Sequence, residues 1–205
     1  MSGRPTSHER RSGQAWDVSY RAGSPPWDIG EPQPAIRTLA SEGAFAGTVL
    51  DAGCGTGENA FCVAALGLSV LGVDLAESAV SKAREKATAR GIDADFVVAD
   101  ALHLERLERT FDTVLDCGLF HTFDDDERRD YVRSLASVTR PGGALHVLCF
   151  SDVGPGDCGP HPVSQDELRE PFTRGWRVTS VKPNRIHTRL EPPSFPAWLA
   201  QIERV

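Results

Sequence analysis

The chain has 205 residues, 40% of them hydrophobic, enough for one large domain with a buried core and a cleft. Its 22 Lys and Arg against 29 Asp and Glu leave a formal charge of −7, which argues against a protein that grips nucleic-acid phosphates without regard to sequence. No apolar run reaches the ~18–20 residues needed to span a bilayer, Met1 to Gln14 lacks the apolar segment of a secretory signal, and the five cysteines form no C-x-x-C pair. The expectation is a cytoplasmic protein with reduced thiols and no membrane association.

Residues 1–12 read as a disordered tail, and residues 24–34 as a Pro- and Gly-rich entry. Residues 48–51 read as a buried strand running into a glycine loop, and residues 58–66 as a short helix closed by Gly67. A second strand is expected over residues 69–74. Ala79, Val80, Ala83 and Ala87 at helical spacing predict a helix over residues 76–90, stopped by Gly91. A third strand follows over residues 96–99 and a fourth over residues 111–117.

Asp125 or Asp126 is placed to cap a helix reaching Thr139, with Tyr131, Leu135 and Val138 on one face. The acidic run Asp124 to Glu127 suits the positive end of that helix. Pro141-Gly142-Gly143 reads as a turn and residues 144–150 as a fifth strand. Ser164-x-x-Glu167 is a capping box for a short helix. Residues 176–182 and 186–190 read as an antiparallel closing pair, and residues 196–204 as a last helix.

Strands alternating with helices imply an α/β fold: a doubly wound, mostly parallel sheet with helices on both faces. Ligands of such sheets bind at the carboxyl ends of the strands, where strand order reverses. Function is therefore expected just after Asp51, Asp74, Ala99 and Asp116.

The strongest local pattern is Asp51-Ala52-Gly53-Cys54-Gly55-Thr56-Gly57-Glu58, a strand end, alternating glycines and a helix start. Glycines allow backbone to approach a ligand closely, and a helix start offers free N–H groups. Glu58 stands where a dinucleotide fingerprint needs glycine, and no Gly-Lys-Ser/Thr of a phosphate loop follows. The pattern suits instead a ligand with an adenosine and a cationic amino-acid end, which Asp51 can face directly or through water. Asp74 at the next strand end can accept hydrogen bonds from both ribose hydroxyls. Asp100 at the third can accept from an adenine amino group while the Ala101 N–H donates to the ring.

From Thr48 to Phe150 this set resembles the Rossmann-like, class I S-adenosylmethionine-dependent methyltransferases, in which Pro-Gly-Gly before the fifth strand is also typical. The resemblance implies a seven-stranded sheet with an antiparallel closing strand, S-adenosyl-L-methionine as cofactor, and a cofactor site that takes in Gly53, Gly55, Gly57, Leu75 and Cys117. Trp16-Asp17-x-x-Tyr20 and Pro26-Trp27-Asp28-Ile29-Gly30 resemble the entry segment of the halide/thiol methyltransferase group, a relative of the thiopurine methyltransferases. There the aromatics close over cofactor and substrate. Residues 13–47 are accordingly expected to form a lid, 48–150 the cofactor core, and 151–205 a substrate loop and closing strands, within one domain over residues 13–205. An aromatic face of Trp16 or Trp27 can stabilise a sulfonium by roughly 0.5–2 kcal/mol.

The loop Cys117-Gly118-Leu119-Phe120-His121 faces the transferred methyl in this architecture. His121 is the candidate base, because imidazole titrates near neutral pH. Tyr20, Phe120, Phe150 and Ser151 join His121 as candidate substrate contacts. Position 117 carries neither the aromatic of the halide/thiol group nor the basic residue of the thiopurine group. Asp157, Cys158 and His161 are too scattered for a zinc site, so no metal is expected. The reading is a methyltransferase acting on a small molecule through a thiol, ring nitrogen or hydroxyl, as a monomer or weak homodimer, with no nucleic-acid partner. Halide/thiol methylation proper, a nicotinamide-dependent oxidoreductase, a non-catalytic adenosyl-ligand module, and an RNA or protein methyltransferase are the alternatives.

Overall fold

The computed structural model describes residues 5–153 and 161–205. Seven strands form one sheet: β1 (Thr48–Ala52), β2 (Ser69–Asp74), β3 (Asp95–Val98), β4 (Phe111–Cys117), β5 (Thr139–Phe150), β6 (Trp176–His187) and β7 (Ser194–Arg204). Their order is β3-β2-β1-β4-β5-β7-β6. β1 pairs in parallel with both β2 and β4, so strand order reverses beside β1 and a crevice opens there. β7 runs antiparallel between β5 and β6.

The helices are α1 (Ser7–Ser12), α2 (Trp16–Arg21), α3 (Pro34–Ser41), α4 (Glu58–Ala64), α5 (Glu77–Arg90), α6 (Asp125–Val138) and α7 (Gln165–Arg169). α5 buries Ala79, Val80, Ala83 and Ala87 and ends on Gly91, as its spacing predicts. α6 buries Tyr131, Leu135 and Val138 against the sheet, but its cap is Asp124, one residue before the expected pair. Asp124 accepts the Glu127 N–H while Glu127 reaches back to the Asp124 N–H, a reciprocal capping box. No helix among the described residues is long and apolar enough to cross a membrane.

Five elements differ from the sequence expectation. Residues 7–12 of the expected tail form α1, because Thr6 and Glu9 make a capping box and Arg10 binds Asp124 and Glu127 of α6. Residues 101–107 form a 3-10 helix capped by Asp100. The Pro-Gly-Gly turn is absorbed into β5, with a register shift against β4 after Phe111. Residues 196–204 are strand rather than helix. Their burial alternates through Phe195, Ala197, Ala200 and Ile202, and β5 offers an open edge that only a strand can satisfy. The expected pair over 176–182 and 186–190 is one continuous β6 whose true partner is β7.

Candidate active site

The glycine loop is folded by its neighbours. Backbone N–H groups of Gly53 and Cys54 both donate to the Val73 carbonyl, fastening the loop across β2. Asp74 accepts from the Gly55 N–H at 2.9 Å and from the Ala76 N–H at 2.8 Å. Gly55 lies at φ +54°, and a Cβ there would stand 3.0 Å from the Tyr20 hydroxyl. Gly57, at φ +89°, has Phe96 and Phe61 within 3.0 Å of the same point. Gly55 thus keeps the cleft floor thin beneath an aromatic, while Gly57 serves packing.

Over this loop lie a cleft of about 530 Å³ and an aromatic cover. Trp16 meets Trp27 edge to face at 5.7 Å, and the Trp27 indole N–H donates to the Tyr20 hydroxyl at 3.0 Å. Asp17 accepts from the Ser78 N–H at the start of α5, and Lys82 donates to the Tyr20 and Gly23 carbonyls. The entry segment is therefore held closed against α5. Its other edge is fixed to the β6–β7 hairpin: Gln33 and His187 exchange two hydrogen bonds of 2.8 Å, and Arg189 N–H donates to the Pro26 carbonyl.

The cleft wall brings together Trp16, Tyr20, Trp27, Gly53, Gly55, Asp74, Leu75, Asp100, Ala101, Cys117, His121 and Phe150 from the sequence reading. Four residues of that reading lie elsewhere. Asp51 is 1% exposed beneath the loop, with neither carboxylate oxygen hydrogen-bonded. Burial, Asp116 and Asp74 push its pKa up to about 7. Gly57 packs on Phe61 and Phe96, as above. Phe120 is fully buried, stacked on Phe172 at 6.0 Å under the Arg128 guanidinium, so it is core and not a substrate wall. Ser151 is bridged to Val163 at the end of β5. Asp157 and Cys158 lie outside the described residues.

His121 departs from its expected chemistry. Its Nδ1 accepts a hydrogen bond from the Phe150 N–H at 3.2 Å. An amide can only donate, so the neutral ring carries its proton on Nε2. Burial first, then the charges of Arg128, His8 and His161, hold its pKa down to about 3. The ring is fixed against Phe150 at 4.4 Å between centroids. It offers the cleft a donor, not a lone pair. Glu58, which ruled out a dinucleotide loop, is engaged by Lys86 at 2.9 Å and Arg90 at 2.8 Å, a structural triad.

Several cleft residues escape the sequence reading. Ile186 and Phe195 face each other across β6 and β7 and join Phe150 in one apolar cluster. Leu190 extends that wall from the hairpin, and His8 reaches the cleft from α1. Only the register of β7 on β5 could have signalled the first two, and that register depends on calling residues 194–204 a strand.

Residues 49–143 match the family model described as a methyltransferase domain. The chain is 38% identical over 182 residues to a 2-heptyl-1-hydroxyquinolin-4(1H)-one methyltransferase of Mycobacteroides abscessus, covering 84% of this chain and 80% of that one. It is 29% identical to a probable thiol methyltransferase of Arabidopsis thaliana, over 87% and 80%. Among solved structures it is similar to one described for the conversion of a disulfide bond into a thioacetal group during echinomycin biosynthesis, with TM-score 0.84, 40% identity, and coverage of 92% and 90%. The chain belongs to the class I, Rossmann-like methyltransferases that use S-adenosyl-L-methionine. It is an enzyme of methyl transfer, and the nicotinamide alternative falls away.

The residues fit that cofactor. Asp51 sets an unpaired buried carboxylate under the loop, Gly53 and Gly55 leave the floor open, and at the cleft Asp74 ends β2 while Asp100 caps the 3-10 helix after β3. Asp100 Oδ1 accepts from the Leu102 N–H, which leaves Oδ2 for a ligand donor. Bound there, the cofactor supplies a methyl carbon already activated by its sulfonium.

Proposed function

We propose that the enzyme methylates a flat, largely apolar small molecule that carries an acidic hydroxyl or thiol. One observation carries this reading: the half of the cleft away from the glycine loop is walled by Phe150, Ile186, Phe195 and Leu190, with the His121 Nε2–H as a donor among them. Apolar walls with a few placed polar groups are the general form of small-molecule sites. A neutral donor favours an acceptor atom arriving as an anion or next to a carbonyl oxygen. The similarity to a hydroxyquinolone methyltransferase supports a hydroxyl on a heteroaromatic ring. The similarity to a thiol methyltransferase supports sulfur as the second reading, since a thiolate forms near neutral pH unaided.

In the mechanism, Asp74 and Asp100 anchor the nucleoside end, and the cover of Trp16, Tyr20 and Trp27 keeps water from the reacting carbon. The His121 Nε2–H orients the acceptor's oxygen. Alignment alone is worth ~7–11 kcal/mol in well-oriented reactions. We place the enzyme in a reducing, cytoplasmic setting, consistent with free Cys54, Cys62, Cys117 and Cys149, acting as a monomer or weak homodimer without nucleic acid.

The deciding experiment is turnover on a panel of 1-hydroxyquinolin-4-ones, alkylthiols, aromatic thiols, azaheterocycles and iodide, read as S-adenosylhomocysteine formed. Turnover of the hydroxyquinolones above all others supports the reading. Turnover confined to iodide overturns it.

A further inference from the structure

A methylated hydroxyl must lose its proton, and His121 cannot take it. Its Nδ1 lone pair is bound to the Phe150 amide and its Nε2 is already protonated. A second imidazole stands at the same cleft. His8 lies in α1, next to Ser7, whose hydroxyl donates to the Thr122 carbonyl at 2.9 Å and whose N–H donates to Glu127 at 3.0 Å. Those two bonds fasten the start of α1 to the turn that carries His121, and His8 and His121 both line the cleft.

The His8 ring is stacked on Trp16 with centroids 4.3 Å apart and planes 18° from parallel. His8 lines the cleft, and no side-chain hydrogen bond joins its ring to another described residue.

We propose that His8 is the proton acceptor of the reaction, paired with His121 as the donor that orients the same substrate; this rests on the reading of the acceptor as a hydroxyl. The acceptor O–H proton passes to a ring nitrogen of neutral His8. The oxygen lone pair forms the new O–C bond to the methyl carbon, and the pair of the broken C–S bond returns to sulfur as a neutral thioether. The half-exposed imidazolium then gives its proton to water at the rim.

The chemistry around His8 suits the task. Burial first, then Arg11, lower its pKa from the ordinary imidazole value, and Glu9 works the other way. Arg10 pairs with Asp124 and Glu127 across the α1–α6 contact on the same helix as His8, and His121 lines the same cleft. The neutral, proton-accepting form therefore dominates at neutral pH.

The test uses His8→Phe, which keeps a flat ring to stack on Trp16 and removes the lone pair, beside His8→Ala. With a series of ring-substituted hydroxyquinolines of rising hydroxyl pKa, both variants are expected to lose ~10²–10⁴ in kcat on the least acidic members and little on the most acidic. The acid limb of the wild-type kcat/KM profile should vanish in His8→Phe, and S-adenosylhomocysteine affinity should stay unchanged. Equal losses across the series, or a surviving acid limb, overturn the proposal.

A readout independent of turnover uses the His8 ring resonance, assigned by its absence in His8→Phe. Its pKa should rise when the same hydroxyquinolines bind with S-adenosylhomocysteine, and an unmoved resonance overturns the proposal. If the wild type instead turns over only thiols or iodide, the hydroxyl reading has failed and His8 as its base fails with it. A hydroxyl-active wild type with normal His8→Phe rates sinks His8 alone.

Discussion

The two halves of the cleft are built in opposite ways. The glycine-loop half comes from one stretch of chain, residues 51–101, and its polar groups satisfy one another through backbone: Asp74 to Gly55 and Ala76, Asp100 to Leu102, Gly53 and Cys54 to Val73. The acceptor half is assembled from four distant segments, α1, the turn at His121, the end of β5, and the β6–β7 hairpin, and its surfaces are mostly apolar. A shared cofactor can be held by a local rigid frame. A variable acceptor is met by walls whose side chains can change without disturbing that frame.

Gly57→Val should break the first half most severely. The φ of +89° and the contact with Phe96 and Phe61 imply a loss of about 2–5 kcal/mol in stability, measured by denaturant unfolding. Less drastic is Asp74→Asn, which removes a charged acceptor from the loop and from the cofactor. Calorimetry should show S-adenosylhomocysteine affinity falling ~10–100-fold while the acceptor KM holds. An unchanged affinity would remove Asp74 from the cofactor site.

Stability should also carry a pH signature of the buried groups beneath the loop. Burial raises Asp51 and Asp116 to about 7, so between about pH 4 and 7 the folded chain keeps protons that the unfolded chain has released. Their contribution to stability therefore falls as pH rises through that window, by at most about 1.4 kcal/mol per unit for each proton. His121, held to about 3, acts oppositely, costing stability as pH drops below the usual imidazole value. Asp51→Asn should gain on the wild type at about pH 7.5 more than at about pH 5. Equal gains at both would mean that Asp51 is ionised throughout.

The smallest effect sharpens the acceptor half. Leu190 is 49% exposed at the cleft edge, so Leu190→Ala should leave stability within ~0.5 kcal/mol. Acceptor KM should nonetheless rise about three- to tenfold from lost apolar contact, with S-adenosylhomocysteine binding unchanged. A shift in cofactor affinity instead would mean that the two halves are coupled through the hairpin.

The frame of the first half was legible because each of its signals is local. A strand end, a glycine at a tight approach and a capping carboxylate all lie within a few residues of one another, so Asp74, Asp100 and the loop could be read in order. Gly57 and Asp51 were read as contacts on the same grounds, and packing shows instead a spacer against Phe96 and a carboxylate sealed under the loop. Phe120 likewise turned inward, because the Arg128 guanidinium and Phe172 offered it a buried partner.

By itself the sequence determined the class of fold, the order of strands through β5, and the positions of Asp74 and Asp100 at the cleft, since these follow from short-range periodicity and turn chemistry. Tertiary structure alone decided the rest. Residues 194–204 became a strand because the open edge of β5 had to be paired, and that pairing set Phe195 opposite Ile186 at the cleft. Residues 7–12 became ordered because Arg10 met the acidic start of α6. His121 became a donor because a backbone amide of β5 claimed its lone pair. Such outcomes depend on which groups meet across the sheet, and no local pattern in the chain records that meeting.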